Sequence, residues 1–211
     1  MSFDSNSLNK GKKLIGKIIR SENQILYWVQ VYNELEQSNP PNPEDYAFGN
    51  FVKIESVTSN SVQHVGLIND TILIDRDTLR AGPRLSINQE QIQTFFPEFI
   101  DERIKIVRII IIGYIDKNNI PNHTFPETTP NLDDNVYKMA KDEIINFHII
   151  NNDYKIAYLS QILQMPKPIF AKPLILSIIP KLMEFFPENK KPILKLIKNN
   201  IEFGLKLEEG F

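Results

Sequence analysis

A chain of 211 residues can bury one large core, and its 42% hydrophobic and 24% charged fractions are ordinary for a globular protein. The net charge of −2 gives no global attraction for a polyanion, and the absence of cysteine excludes disulfides and Cys-based zinc sites. Met1–Lys10 has no apolar run of the secretory type, and Ile109–Ile112 within Ile104–Ile115 is too short for a membrane span. Together these predict a cytoplasmic protein without membrane contact.

In chain order, Lys13–Arg20 and Ile25–Tyr32 read as two strands joined by the polar turn Ser21-Glu22-Asn23-Gln24. Ile25, Tyr27, Val29 and Val31 fall on one face, with Leu26, Trp28, Gln30 and Tyr32 on the other, so the pair predicts a hairpin. Asn39–Asp45 contains three prolines, which remove donors and fix φ, and it predicts a rigid loop. Strands are expected again at Phe48–Glu55, at Gln63–Ile68 and, after Asn69-Asp70, at Thr71–Ile74. Arg80–Arg84 reads as a loop and Gln89–Phe96 as a short helix ended by Pro97. Ile104–Ile115 is the longest strand and is apolar on both faces, as in a strand buried between layers. Short strands without crossover helices point to a small antiparallel barrel.

Residues 117–135 form a Pro- and Asn-rich linker, expected to be an extended tether. Helices are expected at Val136–Phe147, Tyr154–Gln164, Pro173–Phe186 and Pro192–Leu207. The last two form a hairpin, with Pro180 predicting a kink or break in the first of them. The fold class is therefore α+β, with a barrel over 12–116, the linker over 117–135 and a helical region over 136–208. Residues 151–211 carry 9 Lys against 6 acidic groups, and residues 1–150 carry 15 basic against 20 acidic groups, a distribution that suits solvated helix faces.

Chemical motifs are few. Gly11–Ile18 matches the spacing of a phosphate-binding loop, but Ile18 stands where the Mg²⁺-coordinating hydroxyl belongs, and a β-patterned segment follows it. His64, His123 and His148 lack metal-ligand spacing, and Asp75 and Asp77 read more simply as local partners of Arg76 and Arg80. No cofactor, metal or catalytic group is expected.

Gly16–Ser21, the Ile25–Tyr32 strand and Pro43-Glu44-Asp45-Tyr46-Ala47-Phe48-Gly49 resemble the barrel shared by HerA-type DNA-translocating ATPases and ATP synthase subunits, the HAS barrel. Val65–Asp70, Gly82–Ser86 and Ile106–Ile115 are similar in character. The resemblance covers about residues 12–116 and implies a barrel that holds subunits together or docks an accessory protein such as a nuclease. The ATPase core of those families is absent from the residues that follow, so motor activity does not carry over.

The expectation is a non-catalytic assembly, docking or regulatory protein for a HerA-like ATPase or its nuclease, with homo-oligomerisation left open. Its partner-binding candidates are Pro43, Asp45, Tyr46, Arg80, Gly82, Pro83 and Arg84, because rigid loops present side chains at low entropic cost. One rival is single-stranded nucleic-acid binding through Tyr27, Trp28, Tyr32, Lys17 and Arg20, and another is a metal-dependent enzyme using Asp75, Asp77 or Glu44-Asp45.

Overall fold

The computed structural model describes residues 12–56, 62–75, 103–164 and 170–209. The hairpin expected at the start is present. Strand β1 (Lys13–Ser21) pairs antiparallel with β2 (Leu26–Val31), and Asn23 Oδ1 accepts the amides of Ile25 and Leu26 to set the turn. Gly16, placed in the phosphate-loop pattern by its spacing, lies inside β1. A Cβ there would stand 1.8 Å from the Gln30 carbonyl oxygen, so this glycine permits two backbones to approach.

Strand β3 (Phe51–Glu55) pairs with β4 (Gln63–Asp75), and β4 pairs along its length with β5 (Arg103–Ile115). The separate strand expected at Thr71–Ile74 is continuous with the one before it. Asn69-Asp70, expected to separate the two strands, sits at a register shift within β4, where Arg108 of β5 holds the Asp70 carboxylate at 3.3 Å. The expected helix at Gln89–Phe96 lies outside the described residues.

The segment expected to be a tether is bound to the barrel. β6 (Pro121–Asn122) pairs with the end of β5, His123, Pro126 and Pro130 are buried, and the Asp133 amide donates to the Ile18 carbonyl at 2.9 Å. The helix expected at Val136–Phe147 begins instead as a strand, β7 (Asn135–Lys138), followed by helix α1 (Lys141–His148). The start of α1 is set by Glu143, whose carboxylate accepts the Ala140 amide at 2.9 Å. β7 pairs antiparallel with both β1 and β3. With β2 pairing β5, the sheet closes into a six-stranded antiparallel barrel in the order β1-β2-β5-β4-β3-β7.

Beyond the barrel and α1, the described elements are a two-strand ribbon, β8 (Ile149–Ile150) and β9 (Asp153–Tyr154), and three helices. Helix α2 spans Tyr158–Leu163, so Tyr154, expected to be helical, belongs to the ribbon. Helices α3 (Ala171–Phe185) and α4 (Lys191–Glu209) follow. Helix α3 runs unbroken through Pro180, which lies on its exposed face. The fold class is α+β. Among the described residues no helix is long and apolar enough to cross a membrane.

Two cores follow from period-two alternation. Ile15, Ile18, Val29, Val52, Ile54, Val107, Ile109, Ile111 and Val136 fill the barrel. Phe51, Val65, Leu67, Ile110 and Ile112 point outward and join Ile175, Ile178, Ile179 and Leu182 of α3 in a second cluster. β5 is apolar on both faces because it serves both. At the junction, buried Lys53 of β3 pairs with Glu143 of α1 and, at 3.1 Å, with Glu55.

Candidate docking surface

Asn42–Asn50 connects the barrel to the helical layer, and its own polar groups set its shape. The Asp45 amide donates to the Asn42 carbonyl at 2.8 Å, the Asn42 amide returns a bond to Asp45 Oδ2 at 2.9 Å, and Asn50 Nδ2 donates to the Glu44 carbonyl at 2.8 Å. Lys138 of β7 donates to Asp45 Oδ1 at 3.0 Å, with Lys13 at 3.9 Å from the same carboxylate. Burial alone would raise the Asp45 pKa. The Lys138 bond, the Asn42 amide and the nearby charges outweigh it and hold the acid below its usual range.

The far end of the loop is fixed by α3. Lys181 Nζ donates to the Gly49 carbonyl at 2.9 Å and to Asn50 Oδ1 at 2.8 Å, and burial, reinforced by the Lys138 charge, lowers its pKa. Gly49 has φ 75°, and a Cβ there would stand 2.1 Å from Ser177 Oγ, so both conformation and space require glycine.

Of the sequence candidates, Pro43 is exposed on this loop and Asp45 is its anchor. Tyr46 departs from the expectation. It is 5% exposed and packs into the barrel core, where Lys105 Nζ donates to its hydroxyl at 2.7 Å, so its ring is not offered to a partner. Arg80, Gly82, Pro83 and Arg84 lie outside the described residues. Sequence reasoning missed Phe48, which meets Phe170 edge-on at 6.2 Å, both rings being partly exposed. Reading Phe48 as the first residue of a strand concealed it.

The aromatic patch proposed for nucleic acid is divided by the barrel wall. Tyr27 is inside. Trp28 is outside, with Arg20 over its ring at 4.9 Å and its Nε1–H donating to Glu22. Arg108 beside it is paired with Glu22 at 3.1 Å and Asp70 at 3.3 Å, so cation and ring already have partners within the chain.

The histidines occupy two settings. His64 lines a polar cleft of about 410 Å³ with Ser56, Glu127, Asn131 and Asp134, and its Nε2–H donates to the Thr128 carbonyl at 2.7 Å. Burial lowers its pKa, against the smaller opposing effects of that bond and of Asp134. His148 is fully buried. Its Nδ1–H donates to the Ile144 carbonyl at 2.6 Å, which leaves Nε2 to accept the Tyr158 hydroxyl at 2.7 Å. His123 donates from Nε2 to the Phe147 carbonyl at 3.0 Å and stacks against the same cluster. These bonds tie the segment after β6 to α1 and α2. Among the described residues no group of three or more His, Cys, Asp or Glu side chains is placed to hold a metal ion. Asp77 and the Asp75 side chain lie outside the description.

A family model described as Domain of unknown function (DUF8166) matches residues 2–210. The chain belongs to that family. No curated protein matches it.

Proposed function

We propose that this protein works by contact, as a non-catalytic assembly, docking or regulatory element whose partner engages the loop Asn42–Asn50. The reading rests on the loop being internally bonded and fixed from both sides by Lys138 and Lys181, while Pro43 and the Phe48–Phe170 pair stay accessible. A surface of this kind loses little conformational entropy on binding, and aromatic rings are favoured at the centre of interfaces. The resemblance of the barrel to the HAS barrel makes a HerA-type DNA-processing ATPase, or a nuclease working with one, the partner class to test.

The test is affinity capture from native lysate with the wild-type chain, Phe48→Glu, and Gln30→Ala on the barrel wall as control. Recovery of such an ATPase or nuclease by wild type and control, but not by Phe48→Glu, is the expected result. An identical set of captured proteins for all three would overturn the use of this loop.

A further inference from the structure

Helix α4 has two apolar faces, and only one of them is used by the fold. Leu194 and Ile201 are buried against the second core, with Ile197 and Leu205 packed at its edge. Roughly a third of a turn around the helix lies a second stripe: Ile193, Leu196, Asn200, Phe203 and Leu207. Its four apolar members are between 52% and 63% exposed. The charges Lys195, Lys198, Glu202 and Lys206 lie toward a third side, and Lys198 pairs with Glu202 at 3.6 Å.

The spacing of the exposed stripe is 3-4-3-4, the a-d-a-d-a order of two heptads, whereas the buried stripe follows 3-4-4. The first pattern pairs helices side by side, and the second packs a helix on a globular core. Asn200 takes the central a position. An Asn there is at a disadvantage against an apolar partner and satisfies itself best against another Asn in the same layer. In-register parallel pairing of two copies supplies that partner, because a meets a in each layer. Antiparallel pairing would set Asn200 against Leu196 or Phe203.

The flanking positions are compatible with a second copy. Of these, Pro192, Ile197, Asn199 and Gly204 carry no charge, so no like-charged pair forms across the seam between them, and Lys206, before Leu207, is the one charged flanking position. A Cβ at Gly204 would meet nothing within 4 Å, so there is room beside the stripe for an approaching side chain. Two heptads are too few to order a free peptide, but α4 is already folded against α3, so pairing pays no cost of helix formation. We infer that this exposed face of α4 is a homodimer seam, pairing parallel and in register with α4 of a second copy. The seam is separate from the docking loop.

The seam is short of a standard interface area, so the dissociation constant is expected on the order of micromolar. Sedimentation velocity of the full chain over a concentration series should show conversion to dimer. Leu196→Lys and Phe203→Lys should stay monomeric, with an unchanged unfolding midpoint at concentrations where wild type is also monomeric, since both side chains are exposed in the monomer. The chain has no cysteine, so Ile193→Cys reports geometry without background. Under oxidation it should form an interchain disulfide, and Lys195→Cys should not. Phe48→Glu should leave association intact, which separates failure of the seam from failure of the docking reading. A wild-type chain that stays monomeric to about 1 mM, a dimer unaffected by the lysine substitutions, or Ile193→Cys that fails to cross-link would each overturn the proposal. The first of these would leave the face to a helix of another protein or to a membrane surface.

Discussion

Lys181 of helix α3 donates to the main-chain oxygen of Gly49, 132 residues away in sequence, and this bond couples the Asn42–Asn50 loop to the helical layer. Replacing the ammonium by a side chain of similar length removes bonds to both Gly49 and Asn50 while keeping the packed stem. Lys181→Met is expected to cost about 1–3 kcal/mol by leaving buried acceptors unpaired. It should also weaken capture through the loop. Urea denaturation and the capture assay read the two effects, and full capture with the destabilised variant would show that loop fixation is not required.

The Lys53–Glu143 pair gives a second prediction. Removing one partner strands a buried ammonium, although Glu55 remains beside it and Glu143 keeps some access to water. Glu143→Ala is expected to cost about 2–3 kcal/mol, part of it from the lost contact to the Ala140 amide. Lys53→Met combined with Glu143→Leu should recover much of that loss, because an apolar pair needs no mutual charge. A double-mutant cycle on urea midpoints decides it, and a double variant as unstable as Glu143→Ala would contradict the argument.

His123 and His148 set most of the response to acid, and His64, whose pKa burial also lowers, adds to it. Burial lowers the first pKa to about 4 and the second to about 3, each against the smaller effect of a backbone bond, and each from the ordinary histidine value of 6.5. Below that value the unfolded chain takes up protons that the folded chain refuses. Their contribution is therefore complete above pH 6.5 and declines as pH falls towards 4. At about 1.4 kcal/mol per pH unit per group, the loss is on the order of several kcal/mol. Urea unfolding across this range should show the slope, and His123→Gln, which keeps a donor but does not titrate, should reduce it by about half. A slope unchanged by that substitution would place the acid sensitivity elsewhere.

Two glycines should respond in opposite directions to alanine. At Gly16 the new Cβ meets the Gln30 carbonyl, so β1 and β2 must separate, and a loss above about 3 kcal/mol is expected. At Gly204 the space is open within a helix, and a gain of about 1 kcal/mol is expected. Thermal melts of the two variants test the pair.

What could be read in the sequence followed local periodicity. The β1–β2 hairpin carries alternation and a side-chain-capped turn within twenty residues. β5 announced its double burial because Ile109 and Ile111 alternate with Ile110 and Ile112. β7 was hidden because Val136 and Tyr137 run almost directly into a helical stretch, and only the edges of β1 and β3 select the extended form. The rigid loop over Asn39–Asp45 was visible from its prolines. The fixation of Asn42–Asn50 was not, since Lys138 and Lys181 lie 93 and 132 residues from their acceptors and carry no local signal. Tyr46 was misplaced for a related reason, because nothing in Pro43–Gly49 reveals that the barrel interior takes that ring.

The barrel closes through β7, and this imposes an order on synthesis. Until Asn135–Lys138 has left the ribosome, β1 and β3 each present an unpaired edge, the template on which strands of other chains add. A polypeptide ending before Asn135 would keep both edges permanently and should associate through them. Lys138 also holds Asp45, so the segment that completes the barrel wall fixes the Asn42–Asn50 loop as well. A nascent chain therefore gains its closed wall and its anchored Asn42–Asn50 loop together, and has neither before the last barrel strand arrives.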